Sequence, residues 1–181
     1  MIAMLWAGIY LKYRDQAASD YHDAVRSTVN LTMLFEEHVQ RAIGEVGKSL
    51  YIIRRAVERR TSDDDFARIV TNPELSSDLI VQFAIMDANG MMRISSATPD
   101  STKLIDLSDR EHFLAQKNSD KDELYISGPM IGRVSGKWSI QLTRKFNAPD
   151  GSFGGVVVAS LNPDHFTRFY EALNLGKTAS I

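Results

Sequence analysis

Apolar residues recur at gaps of three and four over the first third of the chain. The stripe consists of Leu31, Leu34, Phe35, Val39, Ala42, Ile43, Val46, Leu50, Ile53 and Val57. This spacing marks one face of an α-helix, and residues 14–60 contain no proline and only two glycines. We therefore predict a helix over residues 14–60, which would be about 70 Å long at the usual rise per residue.

A second set of positions on the same helix could form a seam with a partner helix. It consists of Tyr21, Val25, Thr28, Thr32, Phe35, Val39, Ala42, Val46, Ser49 and Ile53. Three of these ten positions are Thr or Ser, which is too polar for an autonomous coiled coil. We expect a weak homodimer through this helix, supported by the rest of the protein.

The hydrophobic period changes from helical to alternating after Pro73. Alternation predicts strands over residues 79–86, 91–97, 123–131, 137–146 and 154–161, separated by polar, glycine-containing turns. In the fourth strand, Trp138, Ile140 and Leu142 alternate with polar side chains. The last strand is the most apolar, and we predict that it is central in the sheet.

Short helices are predicted between and after these strands. Residues 63–72 form a short helix or turn that ends at Pro73. Ser108 and Glu111 have the spacing of a capping box, which predicts a helix over 109–117. Pro163 suits a first helical turn, and a final helix runs from there to about residue 173. The order predicts an α+β fold with one five-stranded antiparallel sheet.

The N-terminal segment is apolar from Met1 to Leu11 and turns polar at Lys12. Eleven residues are too few to cross a bilayer, which requires about 20. A signal peptide and the end of a core helix are alternatives. We favour the outer end of a transmembrane helix, or its flank, over residues 1–13, because Trp6, Tyr10 and Lys12 suit a membrane–water boundary.

Composition and charge exclude several classes of function. The length of 181 residues suits one domain. A net charge of −2 and a pI near 6.1 give no basic footprint for nucleic acid. The absence of cysteine excludes disulfides, thiolate zinc sites and cysteine nucleophiles.

Catalytic signatures are also absent from the sequence. There is no HExxH, GxSxG, P-loop or GxGxxG pattern. The four histidines, His22, His38, His112 and His165, show no metal-ligand spacing. We expect neither an enzyme nor a metal or cofactor site in this region.

Four short motifs together resemble a known family. They are S-D-R-E-H-F at residues 108–113, Y-I-S-G-P at 125–129, S-G-K-W at 135–138 and D-G-S-F-G-G-V-V-V at 150–158. Their order and spacing, over about residues 15–175, resemble the PAS-like sensor domains called Cache or PDC. The resemblance implies a long signalling and dimerisation helix over 14–60, packed on a PAS-like five-stranded sheet in a sensor lobe over 61–175.

The same resemblance implies a cellular context. Such domains lie in the periplasm as parts of inner-membrane receptors and pass small-molecule binding to a histidine kinase, a diguanylate cyclase or a chemoreceptor module. Residues 176–181 resemble the entry to a second lobe, so we expect the membrane-distal lobe of a double sensor. The alternative is a ligand-free lobe of such a receptor that serves as a structural or dimerisation spacer.

The resemblance places a ligand pocket on one sheet face, under the mid-domain helix. It implies as ligand-binding candidates Arg110, Tyr125, Ser127, Trp138 and Gln141. Arg110 could bind a carboxylate through its planar guanidinium, or it could bridge locally to Asp109 or Glu111. Tyr125 and Trp138 could instead be core residues, and Ser127 could satisfy nearby backbone. Among the histidines, only His112 lies in the helix over the pocket.

One departure from the family bears on the ligand. Amino-acid-binding members resemble one another in an Arg-x-Trp-Tyr pattern and an Asp near the end of the fifth strand. This sequence has no such pattern, and Ser160 occupies the late position. An ammonium group would be buried without a carboxylate partner, which is costly. We therefore expect a small carboxylate or a neutral polar ligand.

Overall fold

The computed structural model describes residues 2–59, 63–72, 77–98 and 104–172, in two compact units made of residues 2–41 and 42–172. The elements are α1 (Ile2–Glu58), α2 (Asp63–Val70), β1 (Ile80–Asp87), β2 (Met91–Ser95), β3 (Ile105–Asp106), α3 (Glu111–Lys117), β4 (Tyr125–Ile131), β5 (Trp138–Asn147), β6 (Phe153–Leu161) and α4 (Asp164–Ala172). The first unit is helical throughout. Pro73 and the predicted second-lobe entry at 176–181 lie outside the described residues.

The strands form one antiparallel sheet in the order β3-β2-β1-β6-β5-β4. The predicted α+β class and the central position of the last strand are confirmed. The predicted number of five strands is wrong, because Ile105 and Asp106 pair with Met92 and Met91 at one edge. A strand of two residues is too short to show alternation in a sequence.

The long helix α1 is confirmed, although it begins at Ile2 rather than near residue 14. It contains Trp6, whose side chain is exposed. Among the described residues, no helix combines the length and the apolarity that a membrane crossing requires.

The sheet of the second unit separates two apolar clusters, because successive side chains of a strand point to opposite faces. On one face, α1 residues pack against β1, β5 and β6; this cluster contains Ala42, Val46, Leu50, Ile53, Phe83, Ile85, Leu142, Val157, Ala159 and Leu161. On the other face, Phe113 of α3 and Leu107 of the segment before it pack against Ala84, Met86, Met92, Val156 and Val158.

The first cluster changes the interpretation of the predicted helix seam. Ala42, Val46 and Ile53 are seam positions, and all three are buried in the cluster that α1 forms with its own sheet. The predicted seam is therefore not one continuous surface for a partner helix. Of the seam residues outside this cluster, Tyr21 and Val25 are exposed.

The predicted capping box at the start of α3 is wrong. Arg110, not Ser108, is the N-cap residue, with extended backbone angles and no side-chain cap. The Ser108 amide donates to Asp106 Oδ1 at 2.9 Å, and the Arg110 amide donates to the Leu107 carbonyl at 3.0 Å. Two tight turns before the helix thus delay its start to Glu111.

Candidate functional site

A small cavity lies between the sheet and α3, on the face opposite α1. Its floor comes from β1, β5 and β6, and its roof comes from the loop before α3 and the β4–β5 turn. The lining residues are Gln82, Ala84, Leu107, Arg110, His112, Met130, Ile131, Gly132, Arg133, Val134, Gln141 and Val158. Its volume is about 30 Å³, room for water but far below the several hundred Å³ of an ordinary ligand pocket.

The floor carries buried polar side chains on neighbouring strands. Gln141 Nε2 donates to Ser139 Oγ at 2.8 Å, and Gln141 Oε1 accepts a hydrogen bond from Ser160 Oγ at 2.7 Å. Gln82 Oε1 accepts from Ser95 Oγ at 3.3 Å. The side-chain oxygens and nitrogens of such a floor can orient a polar ligand, while the apolar side chains around them limit its size.

Two loops close the roof through charged contacts, which we call the latch. Arg133 donates to both carboxylate oxygens of Asp109 at 2.9 and 2.8 Å, and also to the Asp106 carbonyl. Arg110 donates to the Ile131 carbonyl at 3.3 Å. Hydrogen bonds from Arg133 hold the pKa of the Asp109 carboxyl below its ordinary value. The latch thus joins the segment before α3 to the β4–β5 turn.

The charged side chains that line the cavity are positive. Arg133 is neutralised by Asp109, whereas no carboxylate of the described residues lies within ion-pair distance of Arg110. No Asp or Glu belongs to the part of the cavity wall that the structure describes. The site therefore offers one unpaired guanidinium and several uncharged hydrogen-bonding groups.

His112 contributes an uncharged imidazole to the same wall. Its side chain is buried, and burial, with Arg110 nearby, lowers the pKa of His112 to about 4. Its Nδ1 atom has no hydrogen-bond partner among the described residues. Buried polar atoms are nearly always paired, so an unpaired one calls for an explanation.

The structure brings together two of the five candidate ligand residues at this cavity. Arg110 and Gln141 both line it. Arg110 does not bridge to Asp109 or Glu111, because its guanidinium contacts the Ile131 carbonyl instead. Ser127 is buried behind the floor, where its Oγ accepts a hydrogen bond from the Gln141 amide at 2.9 Å. Ser127 therefore supports the backbone of Gln141.

The two aromatic candidates do not line the cavity. Tyr125 donates its hydroxyl proton to Glu111 Oε1 at the start of α3, and this hydrogen bond raises the pKa of Tyr125. Trp138 alternates with Ile140 and Leu142 toward the α1 face, and 60% of it is exposed. Neither ring is in a position to stack on a molecule in this cavity.

Sequence reasoning missed most of the latch. Asp109 and Arg133 are 24 residues apart, and no periodic pattern links a loop residue to a turn residue at that separation. Gln82 and Met130 were also missed, because alternation assigns residues to a face without showing where the face is covered. Among the described residues, no group of three His, Asp or Glu side chains is arranged to hold a metal ion.

No protein-family model and no curated protein sequence matches this chain. Solved structures do match. The extracellular domain of a candidate histidine kinase, rpHK1S-Z16, is 28% identical with a TM-score of 0.68, over 79% of this chain and 59% of that one. This chain therefore spans little more than half the length of that domain.

Two further neighbours have lower identity and show the fold alone. The ligand-binding domain of the Campylobacter jejuni chemoreceptor Tlp3, in complex with 4-methylisoleucine, is 9% identical with a TM-score of 0.67, over 88% of this chain and 75% of that one. A domain of a sensory box/GGDEF family protein from Vibrio parahaemolyticus is 14% identical with a TM-score of 0.61, over 82% and 63%.

These neighbours are sensor domains rather than catalytic domains. They share with this chain a long N-terminal helix and a curled antiparallel sheet, as the sequence motifs implied. The chain thus has the PAS-like Cache fold of the ligand-binding sensor domains of histidine kinases, chemoreceptors and GGDEF proteins.

Proposed function

We propose that this chain is a periplasmic small-ligand sensing domain of a transmembrane receptor in the inner membrane. The fold of the neighbouring receptor domains supports this proposal, as does a cavity in which polar groups converge under a closable roof. The proposal includes a membrane-distal position in a two-lobed sensor, and an output module such as a kinase, a diguanylate cyclase or a chemoreceptor signalling region.

The ligand that fits the site is a small carboxylate or a neutral polar compound. The observation that carries this choice is Arg110, a guanidinium without an acid partner at a cavity whose described wall contains no carboxylate. A guanidinium binds carboxylates through paired N–H donors. An amino-acid ammonium would find Ser160 hydrogen-bonded to Gln141 where a carboxylate would be needed.

The proposed switch is the closure of the latch over the ligand. A cavity of about 30 Å³ is too small for an organic ligand, so ligand entry requires the segment 106–113 and the β4–β5 turn to separate. A ligand changes such an equilibrium only by its difference in affinity between the two states. Binding would then shift α3 relative to the sheet.

A line of contacts supports transmission from α3 to α1. Gln116 Nε2 of α3 donates to the Thr143 carbonyl at 2.8 Å and to the Glu123 carbonyl at 3.1 Å. Beside Glu123, Asp122 accepts a hydrogen bond from Arg54 of α1. A displacement of α3 would therefore reach α1 around the edge of the sheet. We propose that α1 passes it on to the membrane and across a homodimer.

A ligand-free spacer lobe is the second candidate function. The observation that favours it is the small volume of the cavity. A spacer needs a stable fold and a dimer contact but no site that opens.

A thermal-shift screen of the purified chain against small carboxylates, amines, amino acids and sugars tests the proposal. A ligand that binds only the folded state raises the melting temperature in a concentration-dependent way. We expect a carboxylate or neutral polar hit that is lost in Arg110→Ala and kept in Arg41→Ala, a control at an exposed helical ion pair. If no compound of a broad library raises the melting temperature, the second candidate function, a ligand-free spacer lobe, is favoured.

A further inference from the structure

A larger depression in the surface lies beside α1, on the face of the sheet opposite the small cavity. It is an open groove of about 610 Å³, within the range of about 300 to 1,000 Å³ of ordinary ligand sites. Residues 43–52 of α1 contribute one wall, and Leu124 and Arg144 form the other. The groove therefore has room for an organic molecule without any loop movement.

Two glycines of α1 keep this groove open. A Cβ atom at Gly44 would meet no atom within 4 Å, and one at Gly47 would meet Leu124 Cδ2 at an ordinary contact distance of 3.8 Å. Glycine weakens a helix interior relative to alanine, and no close contact with a described residue requires it at either position. The space that the two missing side chains leave is thus available to another molecule.

The walls of the groove are mostly apolar. Tyr51 and Ile52 expose 52% and 56% of their surface, and Ile43 and Leu124 line the same groove half-buried. A molecule that covers these side chains removes apolar surface from water. The groove therefore favours a ligand with a hydrocarbon portion.

The charged side chains that line the groove are both cations. They are Lys48 and Arg144, and no Asp or Glu belongs to the part of the wall that the structure describes. Lys48 is exposed, and no carboxylate of the described residues lies within ion-pair distance of it. An anionic group can pair with Lys48 without displacing an existing ion pair.

Arg144 shares its one nearby carboxylate with a second guanidinium. Asp122 accepts a hydrogen bond from Arg54, whereas Arg144 Nη1 lies 3.6 Å from Asp122 Oδ1. No N–H group of the Arg144 side chain donates a hydrogen bond to a described residue, although only 24% of this side chain is exposed. A guanidinium with unused donors binds a carboxylate through paired N–H groups.

We propose that this groove binds a soluble amphiphilic carboxylate, with its carboxylate at Lys48 and Arg144 and its apolar tail along Tyr51, Ile52 and Leu124. The site is separate from the small cavity and does not rest on the sensing function proposed above. The bound molecule contacts α1 and the segment before β4 at the same time, so it holds these two parts of the domain together.

Four compounds that separate the charge from the tail provide the test: octanoate, octan-1-ol, octylammonium and acetate. Their affinities for the 181-residue chain are measured by isothermal titration calorimetry. We expect octanoate to bind at least about tenfold more tightly than octan-1-ol, as one charge-assisted hydrogen bond allows. Octylammonium and acetate should show no binding, because the first has the wrong charge and the second lacks the tail.

Substitutions on α1 test whether the ligand lies in the groove. Lys48→Gln removes an exposed charge, and we expect it to lower the affinity for octanoate by about three- to fivefold, as an exposed ion pair allows, without changing the affinity for octan-1-ol. Lys137→Gln is the matched control, at an exposed lysine outside the groove. Gly44→Leu fills the groove with a good helix former, so it should abolish octanoate binding without lowering the melting temperature.

Hydrogen–deuterium exchange locates the bound molecule independently. With octanoate present, exchange should slow in residues 43–52 and 118–124 and stay unchanged in residues 104–117. Octanoate that does not bind, that binds no more tightly than octan-1-ol, or that keeps its affinity in Gly44→Leu would overturn the inference.

Two further outcomes would assign the groove or the ligand differently. Loss of octanoate binding in Arg110→Ala would place the molecule in the small cavity, which overturns this inference and leaves the proposed sensing function standing. A chain that self-associates in analytical ultracentrifugation and dissociates in Gly44→Leu would show that a second copy occupies the groove, which also overturns the inference.

Discussion

A single buried imidazole makes the folding stability of this domain depend on pH. The unfolded His112 takes up a proton near its ordinary pKa of 6.5, whereas the folded side chain does so only near pH 4, because burial and Arg110 lower its pKa. Between those values the unfolded state binds more protons. Lowering the pH through this window therefore favours unfolding.

We expect the free energy of unfolding to fall by about 1.4 kcal/mol for each pH unit between 6.5 and 4 through His112 alone. Urea denaturation of the wild-type chain and of His112→Phe at several pH values measures this. The variant should have the shallower pH dependence, since its ring does not titrate. Parallel curves for the two proteins would contradict the assignment of a neutral, buried His112.

One glycine in the D-G-S-F-G-G-V motif is required by close backbone packing. Gly155 has a φ of 143°, and a Cβ atom at this position would overlap the carbonyl oxygen of Met86 on the neighbouring strand. We expect Gly155→Ala to lower the free energy of unfolding by about 1 to 3 kcal/mol. Gly128→Ala in β4 is the matched control, because its Cβ would meet open space.

Chemical denaturation of both alanine variants checks this prediction. Equal stability for Gly155→Ala and the wild-type chain would mean that β6 can move away from β1 at this point at little cost.

At the scale of elements, the latch joins two loops without being part of either apolar cluster. Asp109 and Arg133 are both exposed, so their pairing contributes little to global stability. We expect the pairing of Asp109 with Arg133 to affect instead how often the loop before α3 separates from the β4–β5 turn. We expect Asp109→Asn to accelerate hydrogen–deuterium exchange in residues 104–117 while the melting temperature changes little.

The exposed Glu37–Arg41 pair of α1 provides a comparison for the latch. Glu37→Gln should leave exchange in residues 104–117 unchanged. High salt should reproduce part of the Asp109→Asn effect in the wild-type chain, because screening weakens exposed ion pairs. Unchanged exchange in Asp109→Asn would show that the roof is held by other contacts.

Elements with a sustained hydrophobic period were predictable from the sequence. Each of the five longer strands runs for at least five residues, long enough to be recognised from its apolar or alternating sequence, and α1 keeps its apolar stripe over many turns. The start of α3 was not predictable, because Asp106 accepts the hydrogen bond from the Ser108 amide that Glu111 would accept in a capping box, and because the Arg110 amide donates back to the Leu107 carbonyl. Local motifs do not reveal such competition.

The candidate site was predictable only in part, for a similar reason. Arg110 and Gln141 were found because the family resemblance implies a pocket on this sheet face under α3. Trp138 was included because the family resemblance places a ligand pocket on one sheet face, yet Trp138 alternates toward the opposite face and 60% of it is exposed. Which end of a sheet face is covered depends on tertiary packing.

At the scale of the whole second unit, an ionic contact connects α1 to the loop that follows α3. Arg54 pairs with Asp122 and, at 2.9 Å, with Glu58. The hydrogen bond from Arg54 holds the pKa of the Asp122 carboxyl below its ordinary value. This contact is the point at which we expect the loop and α1 to move together.

We expect Arg54→Ala to lower the free energy of unfolding by about 1 kcal/mol, because its charge is partly screened by solvent, and to accelerate exchange in residues 118–124. The neighbouring Arg55→Ala is the control, since Arg55 is exposed. Urea denaturation and exchange mass spectrometry measure both effects. Identical exchange in the two variants would remove Arg54 from the proposed transmission route.

The separation of the sheet into a polar floor and an apolar face has an evolutionary consequence. Gln82, Gln141 and Ser160 lie opposite the cluster that binds α1. Substitutions at these positions can alter which molecule is accepted while the contact between sheet and helix persists. Homologous proteins with this scaffold can therefore change their ligand specificity while the contact between the sheet and α1 stays the same.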